Sequence, residues 1–360
     1  MTIQFRLNLL KKYLKKNILS WIFISDNVFI EYLTGIKSSN IYCLISSDKN
    51  IICSDFRYKE EILDYCKKNN KWKFLEIKEN DFTFLKNVFS KGDIVGFQDN
   101  VITVAQFKSI KSICKYVKFE SLKDDFVEIF ISKTRDEIEK IKKASHIADR
   151  AFKIIHKFCR LGITEREFVF ILEDICKKEG SQKPSFDTIV LFGKRSALPH
   201  GKPSHTRLER GDFVLCDFGC TYDGFASDMT RTFVAGKASD EQKNIYNIVL
   251  KAQQEAKKHV SSGIIASKVD NAARSIIKNA GFGEMFGHAT GHGVGIRIHE
   301  EPRISSNSKK ILKPDYVITI EPGIYYNKIG GVRIEDMVVV NKSGCEVITK
   351  SPRNLIEVDV

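Results

Sequence analysis

The chain lacks the features that mark secreted and membrane proteins. Its nine cysteines are odd in number and form no CxxC pair, which is typical of reduced thiols in the cytosol rather than of a disulfide framework or a zinc ribbon. No segment approaches the roughly 18 consecutive apolar residues that a membrane span needs. Lysines interrupt the first 16 residues, where a signal peptide would need an apolar core. We therefore expect a cytoplasmic protein without membrane contact.

Positive charge is in excess, but the sequence does not concentrate it. The 58 Lys and Arg residues outnumber the 45 Asp and Glu residues, which gives a net charge of +13. Basic doublets such as Lys15 with Lys16 and Lys142 with Lys143 are short and scattered. Doublets of this kind are typical of solvated helix faces, whereas a nucleic-acid-binding surface gathers its charge on one face. We expect no nucleic-acid partner, and a basic binding surface remains the alternative.

The length of 360 residues favours two domains, because single cores stop growing at roughly 250–300 residues. Residues 1–125 alternate short apolar runs with helical patterns, which predicts an α/β domain. Residues 126–360 contain two capping boxes, Thr134 with Glu137 and Thr164 with Glu167, and further helical patterns over 240–260 and 269–280. Strand patterns over 188–192, 213–218, 230–234, 316–320 and 332–340 are separated in several places by glycine turns. This predicts an α+β layer with antiparallel strands and helices on one side.

A hairpin brings Asp217 and Asp228 together in this second region. Asp223-Gly224 between them is the strongest two-residue turn signal, and it places Asp217 opposite Thr230. Asp228 is then a diagonal neighbour on the same face, at roughly 7–8 Å. Two carboxylates on a buried face repel each other unless a proton or a cation lies between them. A metal site explains the pair, and an exposed edge hairpin explains it equally well.

Glu321 and Glu335 repeat the pattern around the turn at 327–331, and His292 offers a nitrogen ligand. The four carboxylates carry a charge of −4, which two divalent cations would balance. Hard oxygen ligands favour Mn²⁺ or Co²⁺, with Zn²⁺ or Fe²⁺ as alternatives. Three other histidines, His200, His288 and His299, lie in glycine-rich or turn-like segments where binding groups occur. In contrast, His146, His156 and His259 lie among lysines in helical patterns and are predicted to be at the surface.

Residues 135–345 resemble the proline-specific metallopeptidases of the pita-bread fold, the Xaa-Pro aminopeptidases and Xaa-Pro dipeptidases. The resemblance is carried, in order, by Ser196-Ala197-Leu198-Pro199-His200-Gly201, Asp217-Phe218-Gly219, Ser227-Asp228-Met229-Thr230-Arg231-Thr232, His288-Ala289-Thr290-Gly291-His292-Gly293-Val294-Gly295, Ile298-His299-Glu300, Thr319-Ile320-Glu321-Pro322-Gly323-Ile324-Tyr325 and Arg333-Ile334-Glu335-Asp336. The first 125 residues resemble that family's creatinase-type N-terminal domain, less distinctively, through Tyr32-Leu33-Thr34-Gly35. The expected architecture is a creatinase-type domain over 1–125 and a pita-bread catalytic domain over 126–360.

The resemblance implies a role for each matching residue. It implies two metal ions bound by Asp217, Asp228, His292, Glu321 and Glu335, with Asp228 and Glu335 bridging them. A metal-bridging hydroxide would attack the carbonyl before proline, and Glu321 would transfer its proton. His200 and His299 would hold the substrate, His288 would line the proline pocket, and Tyr325 and Arg333 would support the ligands. The implied substrates are Xaa-Pro peptides, and the implied assembly is a homodimer.

Alternative readings stay open beside this one. A non-catalytic pita-bread module that binds protein or nucleic acid would suit the positive charge, but such a module has no need of the five metal ligands that this chain retains. The retained ligands also disfavour creatinase, a metal-free hydrolase of the same fold. Methionine aminopeptidases resemble only the C-terminal domain, so the N-terminal α/β domain of this chain disfavours them. The sequence does not separate a dipeptidase from an aminopeptidase.

Overall fold

The structure is a computed structural model that describes residues 2–78, 81–122 and 124–360. It divides into two compact units, Met1–Phe130 and Ile131–Val360. The boundary predicted between 125 and 126 falls within a helix, Asp124–Ile131. That helix contributes Phe126, Ile129 and Phe130 to the core of the first unit, so the boundary between the two units lies after Phe130.

The first unit is a mixed sheet with helices, as the alternating pattern predicted. Its helices are α1 (Thr2–Lys16), α2 (Asn27–Thr34), α3 (Lys59–Lys68), α4 (Val104–Ile113) and α5 (Asp124–Ile131). Its strands are β1 (Trp21–Ile24), β2 (Ile41–Ile45), β3 (Asn50–Ser54), β4 (Trp72–Glu76), β5 (Ile94–Phe97) and β6 (Lys118–Ser121), in the sheet order β4-β3-β2-β1-β5-β6.

Both faces of this sheet are covered. Side chains of a strand alternate between faces, and β1 shows the consequence. Ile22 and Ile24 belong to a core that α1 joins through Leu7 and Leu10. Phe23, between them, belongs to a second core on the opposite face. A central strand that is buried on both sides reads as a continuous apolar run.

The second unit combines two larger sheets with two hairpins. Its helices are α6 (Arg135–Ile155), α7 (Glu165–Lys178), α8 (Asp240–Lys258) and α9 (Ala266–Asn279). Its strands are β7 (Ile189–Phe192), β8 (Phe213–Phe218), β9 (Thr221–Tyr222), β10 (Phe225–Ala226), β11 (Met229–Ala235), β12 (Gly291–Gly293), β13 (Glu300–Ile304), β14 (Val317–Ile320), β15 (Gly323–Tyr326), β16 (Gly330–Arg333), β17 (Asp336–Asn341), β18 (Gly344–Val347) and β19 (Glu357–Val358). The sheets are β19-β11-β8-β7 and β13-β12-β14-β17-β18, and the hairpins are β9-β10 and β15-β16. The α+β class is confirmed.

The predicted capping boxes start α6 and α7. The Thr134 side chain accepts from the Glu137 backbone N–H while the Glu137 carboxylate accepts from the Thr134 N–H, and Thr164 and Glu167 repeat the arrangement. Both helices pack their apolar faces on the sheet that contains β8 and β11. Because a helix end otherwise leaves N–H groups without partners, these boxes fix where each helix begins.

One predicted strand is wrong. Residues 332–340 are predicted as a single strand, but the structure divides them into β16 and β17, which belong to different sheets. The break falls at Ile334 and Glu335. All residues of the two strands except Asn341 are buried, so burial continues across the change of sheet. In the described part of the chain, no helix has both the length and the apolar character to cross a membrane.

Candidate metal centre

Strands β8 and β11 position the first two carboxylates. Asp217 pairs with Thr230 in their antiparallel ladder, as the hairpin turn predicted. The turn residues Asp223 and Gly224 both have positive φ, at 46° and 80°, which is the backbone of the two-residue hairpin turn that favours Asp-Gly. Asp228 directly precedes β11 and is buried, with 5% of its surface exposed. The reading as an exposed edge hairpin is therefore excluded.

Glu321 and Glu335 lie where one ladder passes into another. Ile320 pairs with Asp336 at the end of the β14–β17 ladder, and Gly323 pairs with Arg333 at the start of the β15–β16 ladder. The register is the same on both sides, so Glu321 and Glu335 are opposite each other in the gap. Their backbone N–H groups donate to other segments, Glu321 to the Thr290 carbonyl and Glu335 to the Thr230 carbonyl, and their carboxylates lie in a shared site.

The residues from these elements and β12 meet in one cluster. Ligand atoms of Asp228, His292 and Glu335 all lie within 4.8 Å of one another. His292 Nε2 is 3.5 Å from Asp228 Oδ2 and 3.3 Å from Glu321 Oε1. Asp217 lies close enough for its charge to raise the pKa of both Asp228 and Glu335. The five residues predicted as ligands thus come together from five separate segments of the chain.

Burial and mutual repulsion act on the carboxyl groups of the cluster. Burial raises the pKa of Asp217, and it raises those of Asp228 and Glu335 well above their usual range. Glu321 differs: burial raises its pKa, but the hydrogen bond and charge of His292, with the charges of His288 and Arg333, together outweigh burial and lower the pKa to about 2. At His292 burial lowers the pKa, but the hydrogen bond and charge of Glu321, with the charge of Asp228, together outweigh burial and raise the pKa to about 9. Acidic groups that resist ionisation together are the arrangement that a divalent cation stabilises.

Two buried oxygen atoms support a cation site. Asp217 Oδ1 and Glu335 Oε1 have no hydrogen-bond partner within the described residues. Buried polar atoms in native proteins nearly always have a partner, and a metal ion supplies one to a carboxylate oxygen. The set of one imidazole and four carboxylates also matches the ligands of hard and borderline divalent cations. The residues present therefore fit the divalent metal that the sequence predicted.

A hydrogen-bonded chain supports one side of the cluster. Arg333 Nη2 donates to Asp217 Oδ2 at 2.5 Å, and Arg333 Nη1 donates to the Tyr325 hydroxyl at 2.7 Å. That hydroxyl lies 2.8 Å from His288 Nε2. Arg333 Nε also donates to the hydroxyl of Thr230, which donates to Glu335 Oε2 at 2.8 Å. Tyr325 and Arg333, for which the sequence predicts a supporting role, are both members of this chain.

The remaining histidines lie beside the cluster. The rings of His292 and His299 have centroids 4.4 Å apart. Burial lowers the pKa of His288, and neighbouring charges that include His200 contribute. Partial burial lowers the pKa of His299, and His292 and His200 lower it further. His200 and His299 are exposed, so both can meet a molecule that enters from solvent.

Several polar residues of the site escaped the sequence analysis. The Thr319 hydroxyl accepts from the His292 backbone N–H and donates to Glu321 Oε1. Arg231 is 1% exposed and donates to Asp336 Oδ1 and to the backbone of Glu335. Both residues occur in the matching segments, but polar side chains that bond to backbone have no spacing that would identify them.

One histidine was placed wrongly. His156 was predicted at the surface, but it is partly buried, with its ring against Phe152 and Phe233. Burial lowers its pKa. It lies four residues after Phe152 at the end of α6, so it continues the buried face of that helix. His146 and His259 are exposed as predicted.

Comparison with known protein families gives a match to each unit. Residues 139–342 match the model for metallopeptidase family M24, and residues 6–129 match the model for the creatinase/prolidase N-terminal domain. The chain is 38% identical to a Xaa-Pro dipeptidase from Pyrococcus furiosus over 98% of this chain and 99% of that protein.

Solved structures agree with the sequence matches. The chain superposes with a TM-score of 0.91 on a Xaa-Pro dipeptidase from Bacillus anthracis, at 35% identity over 98% of this chain and 99% of that one. It superposes with a TM-score of 0.90 on an X-Pro aminopeptidase from Thermotoga maritima, at 35% identity with the same coverage. One of these relatives is named a dipeptidase and the other an aminopeptidase, although the fold is shared.

Proposed function

Because the chain belongs to metallopeptidase family M24, we propose that it is an exopeptidase that hydrolyses the peptide bond before proline. Its substrates would be Xaa-Pro dipeptides or peptides that begin with Xaa-Pro. The observation that carries the proposal is the convergence of Asp228, His292 and Glu335 within 4.8 Å, beside unpartnered buried oxygens of Asp217 and Glu335. The Xaa-Pro specificity draws its support from relatives with that named activity.

We propose that Asp217, Asp228, His292, Glu321 and Glu335 hold two divalent cations, with Mn²⁺ as the first candidate. When bound, such cations polarise a substrate carbonyl and make a nucleophilic water available near neutral pH. Four carboxylates balance the charge of two divalent cations. This charge balance favours two cations over one.

The side chains around the cluster would divide the remaining work. Glu321 Oε1 is engaged by His292 and Thr319, which leaves Oε2 to accept a proton from water and return it to the leaving nitrogen of proline. The lowered pKa of Glu321 keeps this carboxylate ionised at neutral pH, so that it can accept a proton. His200 and His299 would donate hydrogen bonds to the substrate, where negative charge develops on the carbonyl oxygen. His288, held by Tyr325, would line the proline pocket.

We also propose a cytoplasmic homodimer. All nine cysteines lie in the described part of the chain and are free thiols, which suits a reducing compartment. The dimer rests on the family resemblance. Sedimentation of the purified protein at twice the mass of the 41.1 kDa chain is the expected result, and a purely monomeric species would contradict it.

The direct test is hydrolysis of Ala-Pro and of Ala-Pro-Ala by protein purified with Mn²⁺. Cleavage of Ala-Pro alone identifies a dipeptidase, and cleavage of Ala-Pro-Ala identifies an aminopeptidase. Absence of both activities with every divalent metal tried would refute the proposal.

Asp228→Ala should abolish turnover. Asp223→Asn in the exposed turn of the same hairpin should leave turnover unchanged, because Asn also accepts the positive φ found there.

A further inference from the structure

We propose that Glu165 is a positioning residue that clamps the segment carrying His200. The segment, residues 193–204, is called the His200 loop below. The inference rests on the proposed function only for the role of His200 at the substrate. The clamp itself is read from the contacts of a carboxylate that lies outside the metal cluster.

Glu165 is the first residue of α7, and none of its surface is exposed. It holds the beginning of the His200 loop. Glu165 Oε1 accepts from the backbone N–H of Phe192, directly before the loop, at 2.9 Å. Arg195 Nε, within the loop, donates to both carboxylate oxygens at 3.0 and 3.1 Å. One end of the loop is therefore bonded to a single buried side chain.

The same carboxylate holds the other end of the loop. Glu165 Oε2 accepts from the backbone N–H and from the hydroxyl of Ser204, both at 2.7 Å. Arg195 adds a second link, because its Nη2 donates to the backbone carbonyl of Lys202 at 2.7 Å. Glu165 thus joins two points that are twelve residues apart in sequence, with His200 between them.

A separate contact fixes the floor of the loop. The Ser196 hydroxyl donates to the Gly193 carbonyl and accepts from the Gly331 N–H of β16 at 2.7 Å. A Cβ on Gly331 would lie 2.1 Å from the Ser196 carbonyl oxygen, so β16 approaches the loop as closely as glycine permits. Since β16 ends at Arg333, the loop is anchored to the strand that supports Asp217.

The need for a clamp follows from exposure of the loop tip. His200 and Leu198 are exposed, so the tip is not held by a core. A flexible tip would present His200 in many orientations, and misplacement of a substrate-binding group by about 1 Å can cost on the order of a hundredfold in rate. A buried carboxylate with four N–H or O–H donors restricts the loop, and it costs less to bury when every lone pair is used.

Hydrogen–deuterium exchange of the full-length protein tests the clamp directly, without any assay of activity. Glu165→Gln should speed exchange of the amides at 193–204, because its –NH₂ group would face the donors of Arg195 and Ser204. Arg195→Met provides a second variant that is expected to fold, since 32% of this side chain is exposed, and it should speed exchange in the same segment. Glu167→Gln is the matched control. Its carboxylate bonds Thr164 rather than the loop, so exchange at 193–204 should not change.

A double-mutant cycle with His200→Ala tests what the clamp serves. With Ala-Pro as substrate, Glu165→Gln should lower kcat/KM about ten- to a hundredfold in the wild-type background. Glu165→Gln should lower kcat/KM by less than about twofold when His200 is already Ala, because a residue that acts through another has no effect once that other is removed. Mn²⁺ affinity, measured by calorimetry, should be equal in wild type and Glu165→Gln.

The outcomes separate this inference from the proposed function. Unchanged exchange at 193–204 in both Glu165→Gln and Arg195→Met overturns the clamp, whatever the enzyme hydrolyses. Faster exchange with an equal loss of kcat/KM in both backgrounds overturns the link to His200. Failure of the wild type to hydrolyse Xaa-Pro peptides refutes the proposed function and the role of His200, while the exchange result still decides whether Glu165 holds the loop.

Discussion

The hydroxyl of Tyr325 lies between His288 and Arg333 and is in hydrogen-bond contact with both. Tyr325→Phe removes only this oxygen. We expect a loss of about 1–3 kcal/mol in the free energy of unfolding, because His288 Nε2 and Arg333 Nη1 are left without their partner. Urea denaturation of the variant measures the change.

Tyr326→Phe is the control for that substitution. Tyr326 is the next residue of β15, so its side chain is directed to the other face, where its ring contacts Phe282. Removal of the Tyr326 hydroxyl should change the free energy of unfolding by less than about 0.5 kcal/mol. Equal effects of the two substitutions would contradict the assigned role of Tyr325.

At the same scale, the sequence indicated the cluster and two residues beside it, Tyr325 and Arg333, but not Glu165 or Arg231. Asp217 opposite Thr230 followed from the Asp223-Gly224 turn, because a hairpin register is fixed by its turn. Glu165 and Arg231 could not be found in this way. Their partners are backbone and side-chain groups of other segments, and such contacts depend on tertiary packing that no local spacing encodes.

Among the elements, β12 approaches β14 too closely for any residue but glycine at position 291. A Cβ there would lie 2.0 Å from the Thr319 carbonyl oxygen. Gly291→Ala should destabilise the protein by about 1–3 kcal/mol through overpacking. It should also lower kcat/KM about a hundredfold, because the displaced Thr319 bonds both His292 and Glu321.

Gly287→Ala is the matched control for Gly291→Ala. Nothing lies within 4 Å of a Cβ at Gly287, in the same glycine-rich segment. For Gly287→Ala, kcat/KM should be within about twofold of the wild-type value, and the free energy of unfolding should be within about 0.4 kcal/mol of it. If Gly291→Ala is as active as Gly287→Ala, the close approach of β12 does not position the ligands.

Arg231 connects β11 to the segment around β17. Its guanidinium donates to the carbonyls of Thr230 and Ser351 and to Asp336 Oδ1 at 2.9 Å. Arg231→Met leaves a buried carboxylate and several carbonyls without this donor, so the free energy of unfolding should fall by about 3–5 kcal/mol. Urea denaturation again measures the change.

The ion pair of Lys142 with Glu346 is the control for Arg231→Met. These side chains are 21% and 47% exposed, and pairs at the surface contribute about 0–1 kcal/mol. Lys142→Met should therefore be nearly neutral. A loss from Arg231→Met no larger than that from Lys142→Met would show that the buried network does not hold the two strands together.

The secondary structure was predictable where signals are local. The capping boxes gave the starts of α6 and α7 because their hydrogen bonds join residues three apart. The division of 332–340 into β16 and β17 was missed, since no glycine or proline marks the change of sheet in this segment. The gap that this division creates is the position of Glu335.

For the molecule as a whole, the charge of the surface and the charge of the site have opposite signs. The net charge of +13 is spread over the chain, while four carboxylates converge in one cluster. Mn²⁺ should therefore stabilise the protein against unfolding, by about 2.7 kcal/mol at a concentration one hundred times its Kd. The melting temperature in Mn²⁺ and in EDTA measures this difference.

Asp228→Asn is the control for the stabilisation by Mn²⁺. The amide has nearly the same shape as the carboxylate but lacks its charge, so the rise in melting temperature should be much smaller than in the wild type. Equal rises in both proteins would place the stabilising ion somewhere other than the cluster.

The most direct test of the account is the position of the metal itself. Crystals of the full-length protein grown with Mn²⁺, measured at the manganese absorption edge, should show two anomalous peaks per chain. Both peaks should lie among the carboxylates of Asp217, Asp228, Glu321 and Glu335, with His292 Nε2 beside one of them. A single peak would contradict the dinuclear centre, and the absence of any peak in this cluster would contradict the metal site altogether.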